Sequence, residues 1–462
     1  MRRFAISLFV LLAWRTFAAE LKLPQYTRTV LSNGVVLLLM EQHEVPMVSF
    51  SVLISAGSTI DLKGKEGLAS LTSELLTRGT SNRSAEQIAS EVDSLGGALQ
   101  FSTGLDFTSG GAEFLAKDVR TGVELLSDVL LNAAFPEEEV TKRIAQRVDE
   151  LKQEKDEPQA VITNYFHAFL FGDHAYGRPI EGDERSGAGI KRDEIVQFYR
   201  THYMPQNIRI AAVGDFSTSE MQRMLSEAFA KRAGGSRGNS GRVELPAPVA
   251  IKGRKLLLVD KPDATQSFYI MGNVGIARTN ADRVPIQLVN TVFGGRFTSI
   301  LNDELRVSSG LTYGAHSVFG RYLQPGPFAI SSFTQNSKTI QAIDLTISVL
   351  KLLHEKGISA EQLKSAKAYI KGQFPPQIET SDHLAALLTQ LDFFGLDARE
   401  IDELFSRIDA VTLQDCQRVI QKYFPADDFV LVVIGKAAEI KQGLGKYAPK
   451  METREISQVG FK

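Results

Sequence analysis

Hydrophobic and polar positions along the chain fall into two series that repeat one another. Residues 33–57 hold an Asn33-Gly34 turn and two apolar runs, VVLLLM and VSFSVLISAG, which together read as a hairpin. GLASLTSELLTRG (67–79) has helical periodicity and closes on Gly79. A second helix runs from Ser84 to Leu95, with Glu86 in its first turn and Gly96-Gly97 behind it. Strand-like alternation covers Leu99–Glu113, and Val119–Leu131 is helical. Pro136 and three glutamates then open a long charged helix that ends before Pro158. Residues 191–203 form one more helix, and NIRIAAVGDF closes the series as a strand.

Periodicity disappears in KRAGGSRGNSGRVELPAP (231–248), where Gly, Ser, Arg and Pro dominate. This composition predicts a flexible linker able to serve as a hinge. The order of elements then recurs. KLLLVD and SFYIMGNVG are strands, and Val284–Leu305 is a helix interrupted at Gly294-Gly295. Ile340–Glu355 is a helix, and Ser359 opens another that stops at Pro375-Pro376. Val411–Tyr423 leads into FVLVVIGKA just as Ile195–Tyr203 leads into IRIAAVGDF. The pattern predicts an α+β protein made of two tandem copies of one unit, with mixed strands and helices on one face. The expected boundaries are an N-terminal domain over 19–230, a linker over 231–248, a C-terminal domain over 249–449 and a polar tail over 450–462.

Composition narrows the function classes. The chain has 462 residues, 43% of them hydrophobic and 23% charged, with a net charge of −2. These values exclude fibrous and wholly disordered classes and lack the basic excess of a duplex-binding protein. The single cysteine, Cys416, permits no intrachain disulfide and no cysteine-based metal site. Residues 1–18 carry Arg2 and Arg3, an apolar run from Phe4 to Trp14, and small residues at Thr16 and Ala18. That order predicts a cleaved secretory signal and a mature chain in a periplasm or outside the cell, with a mitochondrial presequence as the alternative. The apolar run is too short to span a bilayer.

Several segments together resemble a known family: LSNGVVLLL, GSTIDLKGKEGLASLTSELLTRGT, PEEEVTKRIAQRVDELKQEKDEP, FGDHAYGRPIEG and VFGGRFTSILNDELRVSSGLTYG, with the repeated ending. The resemblance is to the pitrilysin/insulinase-type zinc peptidases, in the half-length, mitochondrial processing peptidase-like branch. It covers about residues 25–440. It implies two homologous α/β domains of the metallohydrolase fold, forming half of a clamshell that closes around a peptide.

Active members of this family carry His-x-x-Glu-His in the segment written here GLASLTSELLTRGT. Two histidines one helical turn apart bind zinc, the glutamate between them serves as general base, and a distal glutamate completes the site. The matching positions here are Ser70, Ser73 and Glu74, so both histidines and the base are missing. Only the distal position, Glu150, keeps its residue type. The seven histidines (43, 167, 174, 202, 316, 354 and 383) contain no equivalent motif. His167 and His174 are spaced for one helix face, but Gly172-Asp173 would end the helix between them. If Glu74 and Glu150 approach each other, they offer weak oxygen ligands to a hard cation and no hydrolytic zinc site.

ELRVSSGLTYG resembles the family segment in which an arginine and a tyrosine reach into the active chamber, here Arg306 and Tyr313. Arginine offers a fixed fork of donors for a peptide carbonyl or carboxylate, and tyrosine adds one more. Missing metal ligands beside a retained Arg/Tyr pair resemble the non-catalytic subunit of a heterodimeric zinc peptidase. In that arrangement a homologous partner with His-x-x-Glu-His holds the zinc. Phe293-Gly294-Gly295-Arg296 is too short for the glycine-rich loop of the mitochondrial non-catalytic chain, which favours a bacterial type. A structural subunit and a stand-alone peptide-binding module remain as alternatives.

Overall fold

The computed structural model describes residues 21–230 and 245–462. The expected signal segment and residues 231–244 of the expected linker lie outside them.

Each half builds one six-stranded sheet. The first contains β1 (Thr27–Val30), β2 (Val36–Glu41), β3 (Met47–Ile54), β4 (Ala98–Thr103), β5 (Thr108–Leu115) and β6 (Ile208–Gly214), in the order β1-β2-β6-β3-β5-β4. The second contains β7 (Arg254–Asp260), β8 (Gln266–Val274), β9 (Ala315–Arg321), β10 (Pro325–Gln335), β11 (Phe429–Gly435) and β12 (Met451–Glu455), in the order β12-β7-β11-β8-β10-β9. In both sheets the last strand of the repeat lies parallel to the first and antiparallel to the second. The duplication expected from the sequence is therefore present in the strand order.

The Asn33-Gly34 turn joins β1 to β2, not the two long apolar runs. Strand β6 lies between β2 and β3. The pattern missed β1 because TRTV is short, polar and mostly exposed.

Helices cover both faces of each sheet, which corrects the one-face expectation. Alternate residues of the apolar runs point to different cores. Leu37 and Leu39 join the helices of their own half, including Leu71, Leu126 and Phe198. Val36, Leu38 and Met40 pack instead on Leu384, Ala385, Leu388 and Leu391 of helix Ser381–Phe394, which belongs to the second half. The exchange is reciprocal. Helix Pro158–Phe171 sends Val161, Ile162, Tyr165 and Phe166 onto Val430, Val432 and Ile434 of β11. A strand buried on both faces reads as an unbroken apolar run, as VVLLLM and FVLVVIG do. Each leucine so buried contributes about 1.5–3 kcal/mol. The halves are thus interlocked, and a hinge confined to the linker could not separate them without exposing these cores.

The polar tail expected at 450–462 is also corrected. Residues Met451–Glu455 form β12 beside β7. Phe461 is buried against Tyr165, with ring centroids 5.0 Å apart. Lys155 donates to the Gln458 carbonyl at 2.7 Å and pairs with Glu184, which also accepts from the Gly460 amide. The chain end therefore ties the second sheet to two helices of the first half. One aromatic among polar neighbours gave too little periodicity to reveal this.

Candidate functional site

The helix carrying Ser70, Ser73 and Glu74 spans Leu68–Glu74. It begins at Gly67, whose φ of 96° and whose approach to the Glu181 carbonyl (2.6 Å for an added Cβ) exclude a side chain. Buried Asp61 accepts from the Gly67 and Ala69 amides at 3.0 and 2.9 Å, fixing the helix start. Burial pushes the Asp61 carboxyl up to about 8, against those two hydrogen bonds.

Ser70 and Ser73 are both buried. The Ser73 hydroxyl donates to the Ser70 carbonyl at 2.8 Å and accepts from Thr103 at 3.0 Å. Ser70 Oγ donates to Glu74 at 3.3 Å. These hydroxyls act as internal connectors. The one carboxylate beside them, Glu74, is held by two arginines and is poorly suited to make Ser70 a nucleophile.

Glu74 and Glu150 do converge, but two arginines of helix Glu137–Glu154 lie between them. Arg143 donates to Glu74 at 2.6 Å and grips Glu150 with two bonds of 3.0 and 2.9 Å. Arg147, only 1% exposed, pairs with Glu74 and donates to Ser70 Oγ at 3.3 Å and to the Glu181 carbonyl at 3.4 Å. It also lies 3.5 Å from the Glu150 carboxylate and 3.6 Å from that of Glu181. Burial opposes the charge on Arg143, yet the bonds to Glu150 and Glu74 carry its guanidinium above the usual range. Nearby Glu154 is raised by burial and by Glu181.

The expectation that Glu74 and Glu150 present free oxygens to a hard cation is therefore corrected, because guanidinium groups already occupy those oxygens. Zinc does not fit either. The donor set is two hydroxyls and two engaged carboxylates, without imidazole or thiolate. Among the described residues, no three His, Cys, Asp or Glu side chains gather as a metal site.

The sequence reading treated 137–154 as a charged helix and missed these arginines. The signal was available. Arg143, Arg147, Glu150 and Glu154 follow i, i+4, i+7, i+11 spacing, which stacks them on one helix face.

Arg306 and Tyr313 lie elsewhere, in the second half. Helix Arg283–Phe293 ends at Gly294, and a π-helical turn over Asp303–Ser308 carries Arg306. Such turns recur at functional sites. The Arg306 guanidinium stacks on Phe297 at 4.5 Å, and Phe297 is itself 70% exposed. Among the described residues no carboxylate pairs with Arg306. Tyr313 is 81% exposed in the segment before β9. The structure joins these two side chains neither to each other nor to the Ser70 cluster.

Comparison with known proteins places this geometry in context. Residues 36–184 match the model described as Insulinase (Peptidase family M16), and residues 189–370 match the one described as Peptidase M16 inactive domain. The chain is 26% identical over 403 residues to an uncharacterized zinc protease of Streptomyces coelicolor, covering 85% of this chain and 86% of that one. It is 23% identical to the uncharacterized zinc protease YmxG of Bacillus subtilis, covering 89% of this chain and 99% of that one. In fold it is similar to a peptidase M16 inactive domain from Pseudomonas fluorescens, with a TM-score of 0.83 at 22% identity, covering 89% of this chain and 98% of that one. It is also similar to a protease from Helicobacter pylori, with a TM-score of 0.81 at 19% identity, covering 89% of this chain and all of that one.

Proposed function

The chain belongs to the insulinase family of peptidases, M16, and on that premise we propose that it is the non-catalytic, substrate-binding subunit of a heterodimeric zinc peptidase. The observation that carries the reading is the replacement of the metal site. Arg143 and Arg147 bind Glu74 and Glu150 where active relatives of the fold would gather zinc ligands. Among the described residues this cluster leaves no open metal site at which water could be activated. Its half-buried Arg306 and exposed Tyr313 are suited to work on something outside this chain. In this reading they orient an extended peptide in the active site of a homologous partner that carries His-x-x-Glu-His and the zinc. In this reading the leader-like residues 1–18 would direct the chain to a bacterial periplasm, where the pair would work.

The arginine can hold a peptide carbonyl or carboxylate with two parallel bonds, and the phenol can donate to the same substrate. Cleavage belongs to the partner, so this chain contributes binding and orientation.

The test is a quenched-peptide cleavage assay on the mature chain, alone and mixed with a homologous His-x-x-Glu-His chain encoded beside it. Each arm is run with and without a zinc chelator. The reading predicts silence alone and chelator-sensitive turnover in the mixture, falling when Arg306→Ala is used. Chelator-sensitive turnover by this chain alone would overturn it, as would a mixture no faster than the partner by itself.

A further inference from the structure

A cavity of about 730 Å³ lies between the two halves, and Ser70, Ser73, Glu74 and Glu150 do not line it. Its walls come from the β4–β5 loop of the first half and from β9 and several helices of the second. Domain interfaces and volumes of this order are common for ligand sites.

Its charged groups are Arg278, Arg283, Arg321, Glu400 and Asp106. Glu400 is already shared. It accepts from Arg278 at 2.9 Å, from Arg283, and from Arg407 at 3.0 Å. Asp106 is engaged by the Tyr176 hydroxyl at 2.9 Å and the Leu323 amide at 2.7 Å. Arg321 at the end of β9 donates no hydrogen bond and has no ion-pair partner among the described residues. Burial, followed by the neighbouring charge of Arg278, holds its guanidinium below the ordinary value, and the already shared charge of Glu400 offsets this only in part. Arginine stays charged in proteins, so it cannot relieve this by losing its proton. A partly buried cation without a partner is unfavourable unless an anion completes it.

The remaining walls point to the kind of anion. Phe374, Phe394 and Leu404 form an apolar side. Gln287, Gln373 and Gln390 also line the space, and their side-chain amides bond to nothing else among the described residues. Free carboxamides match the donors and acceptors of a peptide backbone.

We propose that this cavity binds the C-terminal end of a peptide, with the terminal carboxylate on Arg321, the backbone on the glutamine amides and an apolar last side chain against the phenylalanines. Identifying the ligand as a peptide end rests on the peptidase reading above. The anion grip rests on the cavity alone. The pocket would hold one end of a bound peptide and would favour chains with a free, uncharged-residue terminus.

The experiment is calorimetric titration of the full mature chain, without a partner, using N-acetylphenylalanine, its neutral amide and inorganic phosphate. The acid should bind about tenfold or more tightly than the amide, since a charge-assisted pair is at stake. Arg321→Gln should remove that preference, and Arg321→Lys should keep part of it. Thermal midpoints should be unchanged or raised in Arg321→Gln, because an unpaired charge is removed, so loss of binding will not reflect unfolding. Equal affinity for acid and amide, no binding of either, or an intact preference in Arg321→Gln would overturn the proposal. Phosphate binding as tightly as the acid would overturn the peptide end. No partner enters the assay, so its failure leaves the two-chain reading to its own test.

Discussion

Replacing Arg147 by methionine tests whether the arginine cluster is a structural substitute for a metal. The side chain is 1% exposed and faces carboxylates of Glu74, Glu150 and Glu181. Removing one partner of a fully buried ion pair typically loses about 3–5 kcal/mol. Two features reduce that here. Glu74 keeps Arg143 at 2.6 Å, and the carboxylates are 26%, 50% and 51% exposed, so water can take up part of the unpaired charge. We expect Arg147→Met to lower stability by about 2–3 kcal/mol. Glu74→Gln should lose about 1–2 kcal/mol, since it weakens bonds to both arginines. The double variant should be less destabilised than the sum by about 1 kcal/mol or more, because the second change removes the carboxylate charge that the first deprived of one of its two arginine partners. Urea unfolding of all four proteins measures this, provided the slope with denaturant stays constant. Additivity within about 0.5 kcal/mol would refute the reasoning, since residues that do not interact behave that way. Wild-type stability in Arg147→Met would refute it as well.

Other expectations follow from the same geometry. Arg306→Ala should cut turnover of the two-chain enzyme by about tenfold or more while leaving this chain's thermal midpoint nearly unchanged, because it removes one bidentate substrate contact from a half-buried side chain that has no ion-pair partner among the described residues; an unchanged rate sinks the role. Truncation after Glu455 should destabilise the chain by about 2–4 kcal/mol in urea, through loss of the buried Phe461 and of the partners of Lys155 and Glu184; a neutral truncation would show that the chain end does not tie the halves. Burial pushes His167 down to about 4, so the unfolded chain takes up a proton below about 6.5 that the native chain refuses, and stability is lost as pH falls through that window. His167→Phe should flatten the acid limb, measured by urea midpoints between pH 7 and pH 4, and an unchanged slope would contradict it. Introducing Ser70→His, Ser73→Glu and Glu74→His together should not yield tight zinc binding while Arg143 and Arg147 remain. Titration against a competing chelator checks this, and tight binding in the triple variant would refute it.

How much of this was legible in the sequence depends on how local each signal is. Hydrophobic period and turn residues located most strands and helices, since VVLLLM, Ser84 and Ser359 each determine structure within a few residues. Ser84 and Ser359 indeed cap their helices through reciprocal bonds with Gln87 and Gln362. The helix exchange between halves was not legible, because it depends on which sheet helices 158–171 and 381–394 cover. Only the two-sided burial of the apolar runs hinted that each sheet needed a second layer. β1 and β12 were missed for a different reason. They are edge strands whose exposed residues lack strong alternation. At the candidate site, the resemblance points to Ser70, Ser73 and Glu74, while in sequence Arg143 and Arg147 look like ordinary surface charges. Pairing to Glu74 and Glu181 lies 69 and 34 residues away in the chain and becomes visible only when the helices pack.

The cluster explains why loss of the metal ligands is compatible with a stable fold. Glu74, Glu150, Glu154 and Glu181 converge on one short stretch of surface and interior, and without a cation they would repel one another and unfavourably share a partly dry space. Arg143 and Arg147 supply two positive charges, fixed on the helix that also carries Glu150 and Glu154. Their forked donors suit carboxylate pairs, and unlike a metal they need no histidine. The substitution is therefore self-consistent at the level of charge and hydrogen bonding, and the scaffold that positions Arg306, Tyr313 and the inter-half cavity is retained. A chain of this family can keep its fold without the His-x-x-Glu-His residues, so long as fixed cations balance the carboxylates gathered there.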